Sequence, residues 1–199
     1  MVVNENDDDR LRDAWLARLH AVSKAQGRYL YVLMLLALFF WALLDQVVEA
    51  SDTEITLPFL FVPVSSRVIL AAGPSVLSLM VLAILGSLQA VRRAREEYER
   101  LAPGVGHVFE ALDTAPNAID LVVYGRARPW VTELGLVSYP LLLSLAIVES
   151  MLILRWLWCS SVAGKIIFLP LGVLCTLAAL PRLISLWRSK VAEMAHSRR

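Results

Sequence analysis

One stretch limits what this chain can fold into more than any other. From Val68 to Val91 it reads VILAAGPSVLSLMVLAILGSLQAV, 24 residues without a charge. A helix of that length reaches across the roughly 30 Å hydrocarbon layer of a bilayer at about 1.5 Å per residue. A soluble alternative would need a helix that is apolar on every face, buried in the core of a 199-residue protein. Arg67 brackets the run on one side and Arg92-Arg93 on the other. Pro74, after Gly73, falls one to two turns inside and predicts a kink or a break there.

Three further segments have the same character. The first apolar run, Tyr29 to Leu44, holds 16 uncharged residues and reaches spanning length if it extends through Val48. Tyr29, Tyr31 and Trp41 sit near its ends, where amphipathic rings favour the headgroup layer. A third runs from Leu134 to Leu154, interrupted by Pro140 and Glu149, and a fourth from Val162 to Pro181, with Lys165 near one end and Pro170 inside. The link between these two, RWLWCSS, is so short that they form an antiparallel hairpin. Trp156 and Trp158 then fall at one interface and Trp130 and Trp187 near the other. Overall 58% of the chain is hydrophobic, above the roughly 45–50% of soluble domains.

The basic residues orient the chain, because Lys and Arg resist translocation. All but Arg67, Arg155 and Lys165 of the 19 lie before the first run, between residues 92 and 133, or after residue 181. The net charge of +1 hides this segregation. The expected fold is therefore all-α, an integral membrane four-helix bundle with both termini cytoplasmic. Its parts are a cytoplasmic amphipathic helix (1–28), a first transmembrane hairpin (29–91) with an external acidic and Pro-containing loop (46–66), a cytoplasmic loop (92–133), a second hairpin (134–181) and a basic cytoplasmic tail (182–199). The first 28 residues, with Asp7, Asp8, Asp9 and Asp13, do not resemble the basic start of a signal peptide.

Outside the spans, Leu11, Trp15, Leu19 and Val22 share one helical face, interrupted by Arg18. That face suits the membrane surface, with Arg18 and Lys24 near anionic lipid, or a partner helix. In the external loop Pro58 and Pro63 forbid regular helix and predict an extended stretch, and Ser65 or Ser66 is a suitable N-cap for the next helix. RRAREEYERL continues the second helix with pairs such as Arg92–Glu96, and Pro103-Gly104 ends it. IDLVVY (119–124) reads as a short extended piece. Gly104-x-Gly106 lacks the rest of any phosphate-binding loop.

No catalytic, cofactor or metal constellation emerges, and no nucleic-acid partner is implied. His20, His107 and His196 are scattered, and Cys159 and Cys175, about 24 Å apart if the stretch between them is helical, neither form a CxxC pair nor reach a disulfide. The informative residues are charges at membrane depth: Asp45, Arg67, Glu149, Arg155 and Lys165. Glu149 is the deepest, about five residues inside its span, and is costly there unless paired or wetted. Two readings stand. The carboxylates of Glu149 and Asp45 pair with Arg67, Arg155 or Lys165 and lock the outer ends of the helices, or Glu149 faces a water-filled path for a cation or proton. Gly86, Gly164 and Gly172 point to close helix contact.

The segment DTEITLPFLFVPVSS ahead of a helix with an early proline, the element Arg128-Pro129-Trp130, and YPLLLSLAIVESMLILRWLW after it together resemble the membrane region of bacterial pentapeptide-repeat proteins over about residues 28–160. The residues that follow contain no pentapeptide repeats, so a function residing in those repeats does not carry over. The resemblance implies a bacterial inner-membrane module working beside another component. The resulting expectation is a non-enzymatic multi-pass protein that anchors, senses or signals with a partner, as a homo-oligomer or subunit of a larger assembly. A membrane-permeabilising effector of a bacterial defence system is one version. The alternative is a small cation or proton channel or transporter using Glu149.

Overall fold

A computed structural model describes residues 5–48, 54–56, 63–101, 129–162 and 164–197. Four long helices account for nearly all of them: α1 (Glu5–Val48), α2 (Ser66–Leu101), α3 (Pro129–Cys159) and α4 (Lys165–Ser197). Each holds a stretch long and apolar enough to cross a membrane: Gly27–Val47, Ser66–Ala90, Pro140–Cys159 and Lys165–Ser189. The helical part of the expected fold is thus present.

The helices exceed the apolar runs that announce them. The amphipathic stretch before Gly27 and the first apolar run form one uninterrupted α1, and RRAREEYERL is the C-terminal part of α2. Arg155 to Cys159, expected in the connection, belongs to α3, and α4 begins at Lys165. α4 continues through Pro181 to Ser197, so the basic tail is helical over most of its length. Pro74 does not break α2. Its missing N–H leaves the Leu70 carbonyl without its helical donor.

Among the described residues, the Pro-containing loop adds a departure from pure helix. β1 (Glu54–Thr56) pairs antiparallel with β2 (Pro63–Ser65), in the register Glu54↔Ser65, Ile55↔Val64 and Thr56↔Pro63. Extended backbone was predicted here; the ladder that uses it was not. Ser65 then caps α2, its Oγ accepting from the Arg67 amide at 3.3 Å. The central part of the 92–133 loop, including Gly104, His107 and the 119–124 stretch, lies outside the described residues.

The chain divides into two units, Met1–Leu30 with Ile84–Tyr139 and Tyr31–Ala83 with Pro140–Arg199. In the first, Leu30, Ile84 and Leu85 are buried, and the Ser87 hydroxyl donates to the Ile84 carbonyl at 2.8 Å. Gly86 has nothing within 4 Å of where a side chain would begin, so the close contact expected of it is absent.

The second unit holds the main core. Buried residues on α1 are Leu33, Phe40, Leu43 and Val47, and on α4 Gly172, Thr176, Ala179, Leu183 and Leu186, both following the three–four spacing of a single helix seam. Small residues let the backbones close in. A Cβ at Gly73 would stand 3.0 Å from Phe40 Cδ1 of α1 and 3.2 Å from Ile153 Cδ1 of α3. One at Gly172 would stand 3.0 Å from Leu154 Cδ2 of α3 and 3.0 Å from Pro74 Cβ of α2. All four helices therefore meet around Gly73-Pro74, in the manner of a helical bundle. Gly172 serves the close approach predicted for it, whereas Gly164 contacts only Phe168 of its own helix and is a turn residue, at φ 83°.

Candidate functional site

The second unit carries two polar features, one inside the helices and one at their ends. Inside, the Ser78 and Thr176 hydroxyls are hydrogen-bonded at 2.9 Å, fully screened from the surface. On α3 the Ser144 hydroxyl donates to the Pro140 carbonyl at 2.7 Å and accepts from Trp187 Nε1 of α4 at 2.9 Å. Ser150 donates to the Ala146 carbonyl at 2.9 Å. These groups are satisfied within the fold and serve packing, since a hydroxyl bonded to the carbonyl one turn back exposes little polarity.

Glu149 differs. It is only 6% exposed, and its Oε1 is buried with no hydrogen-bond partner among the described residues. The Ser75 Oγ is likewise unpartnered. Glu149 lies one turn from Ile153, on the face of α3 that Ile153 turns toward Gly73 and Phe40. Leaving a buried polar atom unbonded costs about 1–3 kcal/mol, so this position carries a penalty that packing alone does not explain.

At the ends of the helices, where α3 turns into α4, the chain builds a recess of about 460 Å³. Its polar lining comes from Ser65, Arg67, Trp156, Cys159, Ser160 and Ser161. Val47, Val68 and Val162 supply the apolar part. The turn is tightly held: Ser160 N–H donates to the Leu157 carbonyl at 3.3 Å, and Gly164 accepts from Ile167 at 2.9 Å and Phe168 at 3.0 Å. Lys165 Nζ donates to the carbonyls of Trp158 and Ser160, the latter at 3.0 Å. A cation on the last carbonyls of a helix both satisfies them and complements the helix dipole.

These positions sort the charged residues singled out from the sequence. Arg67 lines the recess and takes part in further interactions within the chain. Lys165 stands at its border, held by backbone carbonyls. Asp45 and Arg155 are exposed. Glu149 does not line the recess, and its Oε1 has no hydrogen-bond partner among the described residues. Trp156 is expected at an interface from the sequence but not as part of a site, and Ser160 is not singled out there; the only signal for it is its place at a helix end beside a short turn.

Among the described residues no three His, Cys, Asp or Glu side chains come together as a metal site. No family model, curated protein or solved structure matches the chain.

Proposed function

We propose that this chain is a multi-pass membrane protein whose four apolar helices cross the bilayer, both termini cytoplasmic, and that it works there as a non-enzymatic module. In this reading it anchors, senses or signals together with a partner, as a homo-oligomer or as a subunit of a larger assembly in a bacterial inner membrane. A permeabilising effector of a defence system is one form this could take.

The supporting observation is the mismatch between apolarity and burial. Of the four candidate spans, α2 is 56% buried, but α1 and α4 are only 28% and 22% buried. Ile166 is 90% exposed, and Leu35, Leu38 and Leu174 are each about two-thirds exposed. Apolar surface on that scale is not sustained against water; it requires lipid or another protein. Alkaline carbonate extraction tests the membrane part, and mass photometry in detergent tests the assembly part. Retention in the membrane pellet and a species larger than one chain are expected. Release into the supernatant contradicts the first, and a strict monomer contradicts the second.

One observation favours a second reading, a cation or proton path: the buried, unpartnered Oε1 of Glu149. Intramembrane carboxylates of this kind mark ion pathways when they are wetted. Flux into liposomes carrying the wild type or Glu149→Gln separates the two. A leak abolished by Glu149→Gln supports transport; no leak from the wild type removes it.

A further inference from the structure

We infer that the recess at the α3–α4 turn is a binding site for the phosphate group of a phospholipid, an assignment that rests on the membrane reading above. Arg67 lines it and also interacts within the chain, and a guanidinium presents five N–H donors in a planar fork that matches phosphate oxygens. Ser160 and Ser161 line the same space; the Ser160 hydroxyl donates to the Leu157 carbonyl at 2.9 Å, which leaves the Ser161 hydroxyl as the donor toward a phosphate oxygen. Lys165 adds a second positive charge at the border, fixed 3.0 Å from the Ser160 carbonyl.

The rest of the lining fits the remainder of a lipid. Val47 closes the recess at the end of the first candidate span, and Arg67 stands at the start of the second. Trp156 lies in the last turn of α3. All are therefore at one end of the apolar helices, the level at which headgroups lie if those helices span. An indole there presents an apolar body to acyl chains and a polar edge to headgroups. A recess of about 460 Å³ has room for a glycerophosphate headgroup rather than a bare ion.

Cys159 is exposed and lines the recess, which makes it a built-in reporter. The experiment measures the rate at which a membrane-impermeant maleimide modifies Cys159 in the full chain carrying Cys175→Ala, purified in a maltoside detergent. Phosphatidylglycerol, a galactosyl diacylglycerol with the same acyl chains, and inorganic phosphate are added separately. Phosphatidylglycerol is expected to slow labelling about fivefold, equivalent to the roughly 1 kcal/mol of one basic side chain at an anionic surface. The galactolipid is expected to leave the rate unchanged, and Arg67→Gln to remove the protection while Arg67→Lys keeps part of it. Native mass spectrometry of the unmodified wild type gives a second measurement, with phosphatidylglycerol retained in preference to the galactolipid.

Equal protection by both lipids, or by neither, overturns the assignment. Protection by inorganic phosphate matching that of phosphatidylglycerol keeps the phosphate chemistry but overturns the lipid source. Failure of the membrane reading is distinguishable: the protein is then released by alkaline carbonate, whatever its response to phosphate.

Discussion

Ser78 on α2 and Thr176 on α4 share a buried hydrogen bond of 2.9 Å across 98 residues of sequence. It is polar glue between two helices that also meet where Gly172 packs against Pro74. Between transmembrane helices such bonds average about 0.6 kcal/mol in double-mutant cycles. We therefore expect Ser78→Ala and Thr176→Val each to lower thermal stability in detergent, with a coupling of about that size between them. Fully additive effects would mean that the bond contributes nothing to the fold.

Glycine substitutions should separate packed positions from open ones. At Gly172 a methyl group would meet the rigid Pro74 ring at 3.0 Å and Leu154 at 3.0 Å, so Gly172→Ala should destabilise by about 1–3 kcal/mol. At Gly86 nothing lies within 4 Å, and the gain in helix propensity should make Gly86→Ala neutral to stabilising by up to about 1 kcal/mol. Thermal melts of the two variants in one detergent check the contrast; equal effects would overturn it.

The sequence revealed the helices far better than their contacts. Long uncharged runs announce apolar helices unmistakably, because nothing else accommodates 24 such residues in so small a chain. It placed their ends less well. Pro181 reads as a stop, yet α4 continues, the lost hydrogen bond being that of the Leu177 carbonyl on an exposed part of the helix. Residue type could not tell Gly86 from Gly172, since a glycine says a backbone approach is allowed and not whether a neighbour is there. Nor could periodicity say which faces meet, so the Ser78–Thr176 and Ser144–Trp187 bonds were invisible. Of the charges, Arg67 lines the recess at the α3–α4 turn. Lys165 was bound to carbonyls, because the sequence gives no hint that the preceding turn presents them.

The turn into α4 should depend on two residues. Gly164 sits at φ 83°, a conformation that costs a side-chain-bearing residue roughly 1–2 kcal/mol, so Gly164→Ala should destabilise by about that much. Lys165→Met removes the donor to the Trp158 and Ser160 carbonyls and should cost about 1 kcal/mol. Guanidinium or thermal denaturation in micelles reads both, and unchanged midpoints would show that the turn does not limit stability.

Glu149 offers a prediction of opposite sign. Because its buried Oε1 has no partner among the described residues, Glu149→Met should raise stability by about 1–3 kcal/mol by removing an unbonded polar atom while keeping most of the volume. A fall in stability of that size would mean the carboxyl group is satisfied in the folded protein and holds its surroundings together.

The central claim is that the apolar helices span a membrane with the α3–α4 turn on one side and both termini on the other. Labelling of intact cells with a membrane-impermeant maleimide tests it most directly. The native Cys159 is exposed at the turn, and Asp13→Cys and Val191→Cys, each made in a Cys159→Ala, Cys175→Ala background, place reporters at exposed positions near the two termini. Cys159 should label in intact cells, and the two terminal reporters only after permeabilisation. Labelling of either terminal position in intact cells, or protection of Cys159 until the membrane is opened, would contradict the account.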